Sequence, residues 1–163
     1  MKRLIYVFAV ALLSFALLFS GEDFEEGKPL KIEASVKPWG LYRGQEGKVV
    51  LKLEIREGIT INPQPSFIVE LDETEELTFP KNFFTSSDLE MEIIEKNGED
   101  YLNLDDPLEI PFTVKLDAPK GKHTLEGKIK YFACSREEKW CLKTTSPFKV
   151  SFYTRGSTIK KSP

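Results

Sequence analysis

The chain has 163 residues, 40% apolar and 30% charged, with a net charge of −3 spread over both signs. That length bounds it to about one ordinary domain, and no basic patch offers an electrostatic footprint for nucleic acid. Two cysteines and a single histidine cannot supply the four protein ligands of a structural zinc site. No phosphate-cradling glycine loop, nucleophile elbow or zinc-protease motif occurs, so neither a metal nor any other cofactor is expected.

Met1-Lys2-Arg3 is a short basic start, and residues 4–19 are apolar except for Ser14. A basic start, a short apolar run and a small residue ahead of a polar flank predict a secretory signal peptide over 1–20. The run falls short of the ~20 residues of a normal span, and the rival expectation is that it is kept as an anchor. The rest of the chain is accordingly expected outside the cytosol, in the periplasm, and membrane-associated only if that segment is retained. The acidic stretch 22–26 belongs to an N-terminal extension over 21–29.

From residue 30 onward the pattern is that of strands. After a candidate strand at 31–37, "KVVLKLEI" places Val49, Leu51, Leu53 and Ile55 on one face and charged residues on the other. Further candidates lie at 66–71 and 89–96, separated by an acidic run at 72–76 that reads as a solvated loop. "LEIPFTVKL" aligns Leu108, Ile110, Phe112, Val114 and Leu116, and "LEGKIKYFA" aligns Leu125, Ile129, Tyr131 and Ala133. The last strand, 140–153, aligns Trp140, Leu142, Phe148, Val150 and Phe152. This alternation describes half-buried antiparallel strands. Turn signals punctuate it, among them Arg43-Gly44, Glu57-Gly58, Asn97-Gly98 and Asp106-Pro107. Seven or more short strands so spaced predict an all-β, immunoglobulin-like antiparallel β-sandwich over 30–153, followed by a polar tail at 154–163. Pro111 inside a strand pattern places that strand at an edge or at a bulge. His123, beside a turn, is expected at the surface.

Both cysteines lie in "YFACSREEKWCL" at 131–142. Strand parity puts Phe132 and Cys134 on the face opposite Tyr131, and Cys141 on the face opposite Trp140. A hairpin around 135–139 then sets Cys134 directly across from Cys141, on the outer face, and simultaneously sets Ala133 against Leu142. Directly opposed residues have Cβ atoms ~4.5–5.5 Å apart, so a disulfide forms with modest adjustment. Such a bond, spanning one hairpin, would stabilise the fold by about 2.5 kcal/mol. Exposed disulfides are also the ones a partner's thiolate attacks. The residues alone leave two readings open. One is a redox pair; the other is a structural staple in a non-catalytic binding or adaptor sandwich.

The motif "YFAC" with a second cysteine a few residues on, preceded by "LKLEIREGITINPQPS" and "LEIPFTVKLDAPKGKHTLEGKIKYFACS", resembles the N-terminal periplasmic domain of the thiol:disulfide interchange protein DsbD family. The resemblance spans about residues 30–153, here as a free-standing domain. It implies an immunoglobulin-like electron relay in which Cys134 and Cys141 are the redox pair, Cys141 forming the mixed disulfide and Cys134 resolving it. Implied partners are thioredoxin-fold proteins: a membrane electron transporter or its thioredoxin-like domain, a disulfide isomerase, or a cytochrome c maturation thioredoxin. An aromatic cap over the pair is also implied, with Phe83, Phe84 and Tyr101 as candidates, and Tyr131, Phe132 and Trp140 as neighbours of the site. If the relay is catalytic, the activity is that of a thiol:disulfide oxidoreductase.

Overall fold

The computed structural model describes residues 28–64 and 67–156. The expected signal peptide or anchor, most of the extension and most of the tail lie outside them, as does Ser66. The described residues contain no helix. Their strands, in chain order, are β1 (Leu30–Lys37), β2 (Gly40–Tyr42), β3 (Glu46–Ile55), β4 (Ile59–Ile61), β5 (Ile68–Leu71) and β6 (Leu77–Thr78). Then follow β7 (Phe83–Thr85), β8 (Ile93–Lys96), β9 (Glu99–Leu102), β10 (Leu108–Val114), β11 (Gly121–Ser135) and β12 (Trp140–Arg155).

Two sheets face each other. One has the order β1-β3-β10-β6; the other has the order β2-β12-β11-β5-β7, with β4 pairing β11 beyond the end of β5. The chain is an all-β, immunoglobulin-like β-sandwich, antiparallel except that β2 runs parallel to β12. A separate ribbon, β8–β9, turns through Asn97 and Gly98, both at positive φ. That is the conformation a two-residue hairpin loop requires and Asn-Gly supplies.

The alternating apolar residues meet between the sheets. Val49, Leu51, Ile110 and Val114 come from one side, and Leu125, Ile129, Tyr131 and Phe152 from the other, all fully buried. Glycine is required at two positions where elements crowd together. A Cβ on Gly47 would stand 2.7 Å from the Leu41 side chain, and one on Gly127 would stand 2.7 Å from the Glu70 carbonyl oxygen. Pro111 pairs with Lys48 of β3, and on its other side β6 covers only Thr113 and Val114. Its missing N–H therefore falls in an open stretch of the strand.

Several expectations need correction. Leu116 is 78% exposed, because β10 stops at Val114 and the chain turns there, Ala118 N–H donating to the Lys115 carbonyl. Ala118, not Leu116, is buried there. Leu142 sits opposite fully buried Ala133 yet is 58% exposed; the tip of an edge strand has neighbours on one side only. Within 89–96 only 93–96 is strand, the preceding residues forming a turn held by Leu89 N–H and Met91 N–H bonds to Thr85 and Ser86. His123 is not a surface residue. Its side chain is 10% exposed, with Nδ1 3.1 Å from Glu76 Oε1 and Nε2 2.9 Å from the Pro119 carbonyl. The ring also packs on Phe152. The acidic run 72–76 is thus tied down at its end rather than simply solvated.

Candidate functional site

The β11–β12 hairpin is the longest ladder in the molecule, with fifteen consecutive cross-strand pairs from Gly121↔Thr154 to Ser135↔Trp140. The alternation of both strands fixes its register, since a one-residue slip would turn every core side chain outward. A four-residue loop closes it, with Lys139 at positive φ and Glu138 N–H donating to Ser135 Oγ at 3.2 Å. In the penultimate pair Cys134 faces Cys141, and the two are joined as a disulfide with Cα atoms 4.1 Å apart.

The two sulfurs have unequal surroundings. On its other side Cys134 pairs with Thr60 of β4, so it lies in an interior strand and is only 8% exposed. This corrects the expectation that both cysteines lie open on the outer face. β4 is too short for its alternation to be read beforehand, and it covers one of the pair. Cys141 is exposed. It lies on β12, whose outer side is paired, among the described residues, only far away, where β2 meets residues 153–155.

Of the neighbouring residues, Tyr131 is fully buried on the core face, its hydroxyl 2.9 Å from Ser146 Oγ. Burial pushes the phenol above its ordinary value, and the bond to Ser146 opposes that shift. Phe132 is half-buried, and its carbonyl accepts Asn62 N–H at 3.1 Å, which clamps β4 against β11. Trp140 packs partly against the core, and its indole N–H donates to Glu138. Arg136 reaches out of the loop to Glu99 on β9, Nη2 to Oε2 at 2.6 Å, so the ribbon β8–β9 is tied to the hairpin tip. Lys139 and Lys143 are exposed on either side of Cys141, and neither forms an ion pair among the described residues.

The three candidate capping aromatics fall in different places. Phe84 pairs with Val69 and is buried in the core. Phe83 is 52% exposed on the outer face, but its row runs through Glu70 to Lys128. That is six residues along β11 from Cys134, or ~20 Å at ~3.3 Å per residue. Tyr101 is half-buried on β9, the strand that lies against β4 and carries Glu99. Among the described residues no group of three or more His, Cys, Asp or Glu side chains is arranged to hold a metal.

What this arrangement can do chemically centres on the disulfide. One sulfur is reachable from solvent, and the other is set behind it. The chain matches no protein-family model and no curated protein in sequence. Among solved structures it is similar to a cohesin module from a Clostridium perfringens family 33 glycoside hydrolase, at 11% identity and a TM-score of 0.37, covering 78% of this chain and 96% of that one. It is similar also to the seventh ScaB type I cohesin from Pseudobacteroides cellulosolvens, at 11% identity and a TM-score of 0.38, covering 81% and 97% of the two chains.

Proposed function

We propose that this domain exchanges a disulfide with thiols of a protein partner through Cys134 and Cys141. The unequal placement of the two sulfurs carries this reading. A partner's thiolate attacks exposed Cys141 Sγ, forming a mixed disulfide and releasing the Cys134 thiolate. A second thiolate of the partner then closes on the partner's own sulfur, releasing Cys141. Two electrons have passed to the domain, and the partner holds the disulfide; run backward, the same steps deliver the electrons onward. The bond adds little as a staple, because it joins residues that the fifteen-pair ladder already holds together. The sequence resemblance to the N-terminal domain of the DsbD family supports the same assignment, with export to the periplasm and thioredoxin-fold partners.

The decisive measurement is the equilibrium potential of the pair in glutathione or dithiothreitol buffers, read by thiol alkylation. A carrier lies above about −300 mV, whereas a bond below that value resists exchange and sinks the proposal. A Cys134→Ala variant should capture an exported thioredoxin-fold protein on Cys141 as a stable mixed disulfide.

A second reading, a non-catalytic binding or adaptor domain, is favoured by a groove of about 630 Å³ walled by Pro38, Phe79, Pro80, Pro111 and Phe112. In that reading the disulfide merely tightens the hairpin, and the potential lies below the carrier range.

A further inference from the structure

The free side of β12 is the feature that the exchange chemistry leaves unused. Tyr153 N–H donates across to the Trp39 carbonyl at 3.0 Å, away from β11. The β11–β12 register runs without a bulge from there to the tip. Every odd-numbered residue of β12 therefore aims its backbone groups at the outer edge, since antiparallel pairs alternate in this way. The other flank agrees, as the Phe132 and Glu126 carbonyls accept Asn62 N–H and Asp72 N–H on the inner side of β11. At the outer edge the amides of Cys141, Lys143 and Thr145 meet no backbone acceptor among the described residues. Position 147 is a proline, which has no N–H to offer. At the hairpin end of β12 the open template is thus the short window 141–145, which starts at the exposed cysteine and ends at a built-in stop.

On the reading that Cys141 undergoes exchange, we infer that the cysteine-bearing segment of the partner docks as an added β-strand on the 141–145 edge. Strand addition is a recognised mode of peptide capture, main-chain bonds giving affinity and side chains giving selectivity. Here it also aligns the reaction. A cysteine added opposite Cys141 would stand ~4.5–5.5 Å away, Cβ to Cβ, on the same outer face. Cys134 lies on the other side of Cys141 in the same row. Attacking sulfur, central sulfur and leaving sulfur then come from three neighbouring strands, with nucleophile and leaving group on opposite sides, as in-line displacement requires. The S–S bond from the partner to Cys141 forms as the bond from Cys141 to Cys134 breaks, and the electron pair leaves on Cys134.

Charge specifies the occupant. Lys143 shares the outer face with Cys141 two residues away, and Lys139 stands at the loop end. A partner strand with a carboxylate two residues from its cysteine meets Lys143. A second copy of this chain does not fit, because the window is centred on Lys143 and a symmetric pairing would set that lysine against itself.

The test uses the oxidised protein and a nine-residue peptide with cysteine at its centre, glutamate two residues away on each side and threonine elsewhere, so that in either strand direction it reaches Thr145 while a glutamate faces Lys143. Controls are glutathione and the same peptide with lysine in place of both glutamates. The reaction is followed as mixed-disulfide formation at equal thiolate concentration. The expected result is that the glutamate peptide reacts about tenfold faster than glutathione, the worth of one or two net hydrogen bonds. Thr145→Pro, which removes one outward N–H as Pro147 already does, should abolish most of that advantage. Lys143→Glu should reverse the preference between the two peptides. Reduction by dithiothreitol should be unchanged in both variants, which shows that they fold and retain the bond. Equal rates for peptide and glutathione, or an undiminished advantage in Thr145→Pro, overturn the docking inference while exchange itself still proceeds. A protein that dithiothreitol cannot reduce under carrier potentials overturns the exchange reading instead. Concentration-dependent dimerisation that Thr145→Pro abolishes would show the edge occupied by a second copy, and also overturns the inference.

Discussion

The proposed exchange requires the domain to stay folded with its disulfide open, and the size of the closed loop bounds how much stability is at risk. The bond closes a loop with a sequence separation of seven residues, which is worth about 2.5 kcal/mol in the chain-entropy model. For a domain of this size 1 kcal/mol moves the thermal midpoint by roughly 4 °C, so reduction should lower it by about 10 °C at most. The figure is an upper bound in this setting. The strands are held by the remaining pairs of the ladder, and the packed apolar cluster around fully buried Ile129, Tyr131 and Phe152 includes neither cysteine. The assay compares urea and thermal unfolding of oxidised, reduced and Cys134→Ala/Cys141→Ala protein, with near-ultraviolet circular dichroism reporting on packing. Cooperative unfolding with a loss near or below 2.5 kcal/mol is expected in both open forms. A loss above about 5 kcal/mol, or loss of the near-ultraviolet signal on reduction, would make the bond a structural staple and refute the reasoning.

Three further outcomes follow from individual contacts. Tyr131→Phe leaves the buried Ser146 hydroxyl without its partner and should cost about 1–2 kcal/mol in urea unfolding; no measurable loss would mean that Ser146 finds another partner. His123→Ala removes the bonds to Glu76 and the Pro119 carbonyl and the packing on Phe152, for an expected cost of about 2–3 kcal/mol. His123→Gln, which can keep one polar contact, should recover part of it. Asp88 is held at about 2, first by its hydrogen bond to Lys81 and then by Thr85. Because the folded value lies below the ordinary 3.8, its contribution is present above about pH 4 and is lost as pH falls through 2. In Lys81→Met the Asp88 midpoint, followed by carboxyl NMR, should rise toward 3.8, and an unmoved midpoint contradicts the assignment.

The long strands were legible because their alternation is uninterrupted. Val49, Leu51 and Leu53 in β3, and the even-numbered set from Leu108 to Val114 in β10, bury as the pattern demands. The facing of Cys134 and Cys141 was legible for the same reason, since parity on two strands and a short loop leave one register. Parity names a face, however, and not what lies over it. That is why Leu142 and Leu116 were assigned to the core although nothing covers them. Strands of two or three residues, such as β2, β4, β6 and β7, are made by pairing with distant segments, and too few residues alternate to announce them. The covering of Cys134 by Thr60 and the open edge at Cys141 both depend on that long-range strand order. The bonds of His123 were hidden too, because Glu76 is brought beside it only when β10 carries β6 against the sheet.

The ladder that would keep the fold intact without the disulfide would also govern how the bond re-forms. In the oxidised structure Ser135↔Trp140 and Ala133↔Leu142 bracket the two sulfurs, and Asn62 clamps β4 behind Cys134. If these contacts persist when the bond opens, the thiols stay opposite one another, and reclosure is an intramolecular step at high effective concentration. On the proposed exchange reading, Cys134 is then the thiol best placed to resolve a mixed disulfide on Cys141, because it is held one strand away and screened from competing partners by β4. In that reading exposure selects Cys141 for the first attack, and enclosure selects Cys134 for the second. A partner that occupies the 141–145 edge leaves that inner route untouched, which lets docking on one side and resolution on the other proceed in the same row of the sheet.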